Sequence, residues 1–165
     1  MIRYYVSKMK DMGFAARDIL EGSNIKETSL SDTAFFVDSR QRDVVVSNML
    51  RLTNDAALGL KIGGGVNLID FGVLTHAMMT SPTLGQAMAL PVQFYNLTGL
   101  TVQLQLVKDH AGRAATICTA GACAAELRRF YTEEIAMLGK CIGEQLLGKP
   151  YLLKTCGFAY PEPPH

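Results

Sequence analysis

The sequence lacks lysine and arginine over a long central stretch, from Ile62 to Val107, and the only acid in that stretch is Asp70. A segment without basic side chains cannot make the phosphate contacts that nucleic-acid binding requires, so this stretch is excluded as a DNA reader. A surface that faces only water does not normally stay uncharged for so long. The stretch therefore predicts burial, contact with a small molecule or self-association.

The sequence also lacks the features of an exported or membrane-spanning chain. No apolar segment with a small-residue cleavage site follows Met1, and the apolar runs are short and interrupted by Gly, Pro, Thr or Asn. The net charge is +1, which provides no general attraction to nucleic acid or to an anionic membrane. At 165 residues, we expect one cytoplasmic domain over residues 1–165 with no membrane contact.

The four cysteines form no C-x-x-C pair, and the three histidines do not lie at zinc-ligand spacing. We therefore expect no metal site, no cofactor, and free, mostly buried thiols. Cys123 is predicted in the first turn of a helix, a position that favours a thiolate.

Apolar spacing predicts a helical first half. A helix over Tyr5–Leu20 is interrupted at Gly13, and Asp38 or Ser39 caps a later helix. That helix has three apolar residues on one face: Val45, Met49 and Leu52. Further helices are predicted over residues 56–62, 70–79 and 82–96. The last of these begins at Ser81-Pro82 and contains Pro91, which should kink it or end it early.

The second half changes its period. Alternating residues predict a half-buried strand over Leu100–Leu106, a turn at 109–112 and a second strand over Ala115–Thr119. A long helix is predicted over Cys123–Leu147, with Arg129 and Glu133 paired on its outer face. Its apolar stripe comprises Leu127, Tyr131, Ile135, Leu138, Ile142 and Leu146. A further strand is predicted over Tyr151–Tyr160, so the fold class is α+β, with one sheet packed on helices.

Two features of the uncharged stretch have both a structural and a functional interpretation. Gly63-Gly64-Gly65 follows a helix and lacks the Lys-Ser/Thr end of a phosphate loop, which favours a flexible connection between helices. His76 lies in an apolar helix, where a hydrogen-bonded core histidine is the favoured interpretation. The alternatives for His76 are a polar contact in a ligand pocket and, less favoured, an axial haem ligand.

A ligand pocket is the functional hypothesis for the uncharged stretch and the hairpin. Its candidate residues are His76, Gln93, Tyr95, Gln103 and Arg113. The glutamines, with Gln105, are equally compatible with a solvent-facing surface, and this is the favoured interpretation for them. Such a pocket suits a largely neutral or amphipathic molecule with at most one acid group, which Arg113 or Lys108 would meet at the rim. No catalytic constellation is present, so we expect no enzyme.

Five segments occur in an order and spacing that resemble one family. They are Gly13–Gly22, Leu50–Gly63, Phe71–Leu74, Ser81–Ala87 and Tyr160–His165. They resemble the N-terminal sensor region of AraC/XylS-type transcription regulators, in the branch called arabinose-binding-domain-like. The resemblance implies an effector-sensing and dimerisation domain. Members of the family continue with a little more of the sensor sheet and then with two C-terminal helix-turn-helix units that bind DNA. The resemblance implies that these units are absent from this chain.

The predicted long helix also suggests where two copies would meet. Phe130, Met137 and Cys141 lie beside its apolar stripe and widen it beyond what one packing partner needs. We therefore expect a homodimer through this helix. The alternative function is a stand-alone small-molecule carrier or a haem-type sensor on a similar α+β fold.

Overall fold

The computed structural model describes residues 1–32, 35–68, 73–94, 102–110, 114–121 and 123–161. It divides into two compact units, Met1–Leu58 and Gly59–His165. The prediction of one domain concerns whether the whole chain folds together, and it stays a prediction.

The first unit is helical. It contains α1 (Ile2–Asp11), α2 (Ala16–Ile19), a short 3-10 helix (Glu27–Ser31) and α3 (Ser39–Thr53). The three α-helices contact one another, and their shared core includes Met9, Ile19, Val45 and Met49, all with no exposed surface. The predicted interruption at Gly13 is confirmed, because Gly13 lies between α1 and α2 with a φ of +94°, which favours glycine.

The start of α3 follows directly from its sequence. Asp38 Oδ1 accepts a hydrogen bond from the Gln41 backbone N–H at 2.8 Å, and the Gln41 side chain accepts one from the Asp38 backbone N–H at 3.2 Å. This reciprocal capping box satisfies two of the donors that a helix start leaves without partners. The helix ends at Asn54, whose φ of +47° is left-handed. The predicted cap at Asp38 is confirmed.

The second unit combines helices with a hairpin. Its elements are α4 (Leu58–Gly64, starting one residue before the boundary), α5 (Val73–Met79), α6 (Leu84–Gln93), β1 (Val102–Lys108), β2 (Ala114–Ala120) and α7 (Ala125–Leu147). Helix α6 contacts α5, β1 and α7, and α7 contacts both strands. Helices, then a hairpin and a long helix, make the predicted α+β fold, which is confirmed.

The hairpin has the alternation that its sequence predicts. Strands β1 and β2 are antiparallel, with Val102 opposite Ala120 and Leu104 opposite Cys118. Val102 is buried and Leu104 half-buried, while Gln103 on the other face is exposed. This face, together with the stripe of α7, forms the apolar interior of the unit, because Leu127, Tyr131, Ile135, Leu138 and Ile142 are buried as predicted.

Several predicted boundaries need correction. Helix α6 begins at Leu84 and not at Pro82, because the hydroxyl of Thr83 caps it by accepting from the Gln86 backbone N–H at 3.2 Å. Pro91 lies inside its last turn, and the helix ends at Gln93. The predicted start of α5 at Asp70 lies outside the described residues, as do Tyr95, Asn96 and Leu100.

The prediction of a strand over Tyr151–Tyr160 is wrong. Residues 151–161 contain no strand, and most of them are exposed. The segment is held by side-chain contacts with α7 rather than by a ladder of backbone hydrogen bonds. Alternating apolar residues indicate a strand only where a neighbouring strand offers its backbone groups.

Candidate functional site

The residues predicted for the ligand pocket are exposed where the structure describes them. His76 on α5, Gln93 at the end of α6, and Gln103 and Gln105 on β1 are all exposed, and Tyr95 and Arg113 lie outside the described residues. The favoured interpretation of His76 as a core histidine is therefore wrong, because α5 turns Leu74, Thr75 and Met78 inward instead. The exposure of the glutamines agrees with a solvent-facing surface. The pocket itself stays a prediction.

In the second unit, two glycines of α4 lie tightly against α7. A Cβ atom on Gly59 would stand 2.8 Å from Glu133 Cβ, and one on Gly63 would stand 2.9 Å from the Glu134 carbonyl carbon. Real Cβ atoms do not approach so closely, so only glycine permits this contact. Gly63 and Gly64 belong to α4, and the prediction that they form a flexible connection is wrong. The spacing of Gly59 and Gly63, four residues apart, is the sequence signal for this helix contact.

The residues beside the apolar stripe of α7, which were predicted to form a dimer interface, have contacts within the chain. Phe130 is 1 % exposed, the Met137 methyl carbon lies 3.5 Å from where a Cβ on Gly64 would stand, and Cys141 Sγ donates to the Gly64 carbonyl at 3.4 Å. The apolar width that suggested a dimer interface at Phe130, Met137 and Cys141 is thus used, at least in part, by α4. The interface role of these residues stays a prediction.

A buried carboxylate lies on the same face of α7. Glu133 is 1 % exposed, and its Oε1 accepts hydrogen bonds from Arg129 Nε at 2.8 Å and from the Tyr160 hydroxyl at 2.6 Å. Among the described residues, nothing hydrogen-bonds to its buried Oε2. The predicted Arg129–Glu133 pair is confirmed. Its predicted position on the outer face is wrong, because Gly59 of α4 lies against Glu133.

The two donors to Glu133 are held in their protonated forms. The pKa of Tyr160 is raised above its ordinary value of 10.0, first by burial and then by its hydrogen bond to Glu133. The pKa of the Arg129 guanidinium is raised because it donates to the same carboxylate. Arg129 also lies over the Tyr160 ring, with 5.0 Å from its Cζ to the ring centroid. Carboxylate, guanidinium and phenol form one connected polar cluster.

The loop after α4 is tied to both neighbouring helices. Gln145 on α7 donates through Nε2 to the Val66 carbonyl at 3.0 Å, and its Oε1 accepts from the Leu68 backbone N–H at 2.8 Å. The Thr75 hydroxyl on α5 donates to the Leu68 carbonyl. These bonds fix the path of residues 66–68, which follow α4. Sequence reasoning missed Gln145, because a single glutamine on a helix has no local pattern.

The cysteines are free thiols, as predicted. Three are half-buried and Cys156 is exposed, so the prediction of mostly buried thiols is wrong in degree. Burial raises the pKa of both Cys118 and Cys141, which disfavours their reactive thiolates. Cys123 precedes α7 and is not in its first turn. The described part of the chain holds no group of three metal-ligating side chains.

The first unit has a surface groove, lined by both charged and apolar side chains, that the sequence did not predict. It has a volume of about 410 Å³ and is lined by Arg3, Lys10, Asp11 and Glu27, with Val6 and Leu30 among its apolar residues. Lys10 and Glu27 form an exposed ion pair across it at 3.2 Å. Its charged groups already compensate one another, and such exposed pairs are common on protein surfaces.

The sequence identifies the class of protein to which this fold belongs. Residues 13–165 match the family described as the arabinose-binding domain, N-terminal, of AraC transcription regulators. The chain belongs to this family. It thus represents the ligand-binding regulatory part of such regulators.

Individual relatives agree with this assignment. An ornithine utilization regulator of Pseudomonas aeruginosa is 32% identical over 114 residues, which cover 69% of this chain and 33% of that protein. An uncharacterised HTH-type transcriptional regulator of Mycobacterium tuberculosis is 27% identical over 124 residues, 74% of this chain and 36% of that protein. The chain thus spans about a third of the length of these relatives. No solved structure matches it, and none of its described helices is long and apolar enough to cross a membrane.

Proposed function

We propose that this chain is the effector-sensing and dimerisation domain of a cytoplasmic AraC-type regulator, and that it controls DNA binding by a C-terminal helix-turn-helix domain. The family match over residues 13–165 carries the proposal. Two further findings support it: relatives of which the matched segment covers 36% are named as HTH-type regulators, and the central stretch lacks the basic residues that DNA binding requires.

The effector we propose is a small molecule with an apolar body and at most one acid group. The absence of lysine and arginine between Ile62 and Val107 supports this, because a multiply charged ligand would leave its charge unpaired on burial. His76, Gln93, Tyr95 and Gln103 would provide the polar contacts, and Arg113 would meet the acid group at the rim.

A homodimer is the second part of the proposal. Met137 and Cys141 are half-buried in the single chain, so α7 offers apolar surface beyond its contact with α4. Met137→Lys should shift sedimentation toward the monomer, and Leu147→Lys, at an exposed position of the same helix, is the matched control. A dimer that persists in Met137→Lys, with unchanged circular dichroism, would contradict this interface.

The decisive experiment compares this chain with the full-length regulator. Gel-shift titration at physiological salt should give no sequence-dependent binding by the chain alone and effector-dependent binding by the full protein. The effector panel includes fatty acids, aromatic acids, ornithine, nucleotides and sugar phosphates, each first tested by thermal shift on the chain. Stabilisation by nucleotides or sugar phosphates alone would refute the proposed pocket. Specific DNA binding by the chain alone would refute the proposed division of labour.

A further inference from the structure

The C-terminal segment, residues 151–160, returns along α7 and contacts it at its two ends; we name this segment the strap. At one end, the Tyr151 ring packs on Gly143, where a Cβ atom would stand 2.5 Å from Tyr151 Cδ1. At the other end, the Tyr160 hydroxyl donates to the buried Glu133 at 2.6 Å. Between these ends, residues 152–159 are exposed. The strap is thus anchored at two points.

We infer that the Tyr160–Glu133 contact is a releasable latch, which couples the packing of α4 against α7 to the docking of the strap. Glu133 accepts the hydrogen bond that closes this latch. The inference rests on the proposed function for its regulatory meaning, because the strap would lie on the path from the sensor toward the DNA-binding part of the regulator. The latch itself is a property of this chain alone.

The first reason is that release does not isolate the buried acid. Both donors share Oε1, so Arg129 still pairs with Glu133 after Tyr160 leaves. Leaving a carboxylate buried without any partner is costly, whereas losing one of its two donors costs about one hydrogen bond. Docking and release can therefore exchange without unfolding the helix.

The second reason is that the latch touches the helix contact directly. A Cβ atom on Gly59 would lie 3.1 Å from Glu133 Oε2, so α4 limits where this carboxylate can stand. A shift of α4 along α7 would move the carboxylate and change its geometry toward Tyr160. One two-state element would then be biased from both sides, which is the physical requirement for coupling.

Trypsin provides a direct measurement of strap release. Lys154 is the only basic residue in the strap, and the bond after Lys149 resists trypsin because Pro150 follows. A protease cleaves only where several residues on both sides are free to enter its active site. Cleavage after Lys154 therefore reports the population of released strap, provided that docking is fast relative to cleavage.

We expect Tyr160→Phe to accelerate cleavage after Lys154 by about tenfold, the effect of losing one hydrogen bond to a charged group. Tyr151→Phe is the matched control, since Tyr151 contacts Gly143 through its ring and should cleave like the wild type. Glu133→Gln should accelerate cleavage too. The double variant Glu133→Gln/Tyr160→Phe should be no faster than Tyr160→Phe, because Glu133→Gln only weakens the bond that Tyr160→Phe removes. Cleavage after Arg51, in the first unit, should be unchanged in all variants.

Three results would overturn the latch. They are wild-type cleavage at the rate of a free peptide of the strap sequence, equal effects of the two Tyr→Phe changes, or additive effects of the changes at Glu133 and Tyr160. In the full-length regulator, Tyr160→Phe should shift the effector response of a promoter reporter, and an unchanged response would overturn the coupling. If the wild-type regulator responds to no effector at all, the proposed function fails, while the protease result still decides the latch.

Discussion

In the first unit, the ion pairs Lys10–Glu27 and Arg51–Glu21 lie at the surface, and all four side chains are more than half exposed. In the second unit, the side chain of Glu133 in the pair Arg129–Glu133 is only 2% exposed. Exposed pairs typically contribute less than about 1 kcal/mol, whereas a buried acid depends on its donors. The comparison indicates that these ion pairs contribute little to the stability of the first unit, whereas the buried pair supports the packing of the second.

The largest expected effect concerns the glycines that bring α4 against α7. Gly59→Ala or Gly63→Ala should lower the free energy of unfolding by about 3 kcal/mol, because the added methyl group overlaps α7. Gly64→Ala is the control, since its Cβ would stand an ordinary 3.5 Å from Met137. Urea unfolding followed by circular dichroism measures all three. Equal stability of the three variants would refute the close packing.

The next effect compares the two kinds of ion pair directly. Arg129→Met should cost about 2 kcal/mol of unfolding free energy, because Glu133 loses a charged donor while buried. Arg51→Met is the same substitution in an exposed ion pair, and it should cost less than about 1 kcal/mol of unfolding free energy. The same unfolding assay applies. If Arg51→Met is as costly as Arg129→Met, the contrast between the units does not hold.

The smallest effect tests the polar contacts of the first unit. Asp38→Ala should cost about 1 kcal/mol by removing the cap of α3. Asp38→Asn keeps a capping oxygen, so its free energy of unfolding should stay within a few tenths of a kcal/mol of the wild-type value. Loss of stability in both variants would mean that the charge of Asp38, and not its hydrogen bond, supports the helix start.

The sequence predicted those features that depend on local spacing. The cap at Asp38, the alternation of β1 and the stripe of α7 each follow from residues close in sequence. Burial of Glu133 was not predictable in this way, because an acid four residues from an arginine is usually a surface pair. The signal lay elsewhere, in Gly59 and Gly63 on a separate helix.

The strap illustrates the same limit from the other side. Its apolar residues predicted a strand, but strand formation depends on a backbone neighbour and not on the segment itself. The structure holds it instead through Tyr151, which packs on Gly143, and through Tyr160, which bonds to Glu133, 27 residues away in sequence. The candidate pocket residues are exposed or lie outside the described residues, so their convergence awaits the ligand screen.

Gln145 has a consequence for the length of the chain from Val66 to Leu68. Its amide group bonds to Val66 and Leu68 much as the peptide group of an adjacent strand would, with one donor and one acceptor. A glutamate could accept from Leu68 but could not donate to Val66. An inserted or deleted residue between these two positions would misalign both bonds at once. The segment from Val66 to Leu68 is therefore fixed in length, and natural variants should change its side chains more readily than its number of residues.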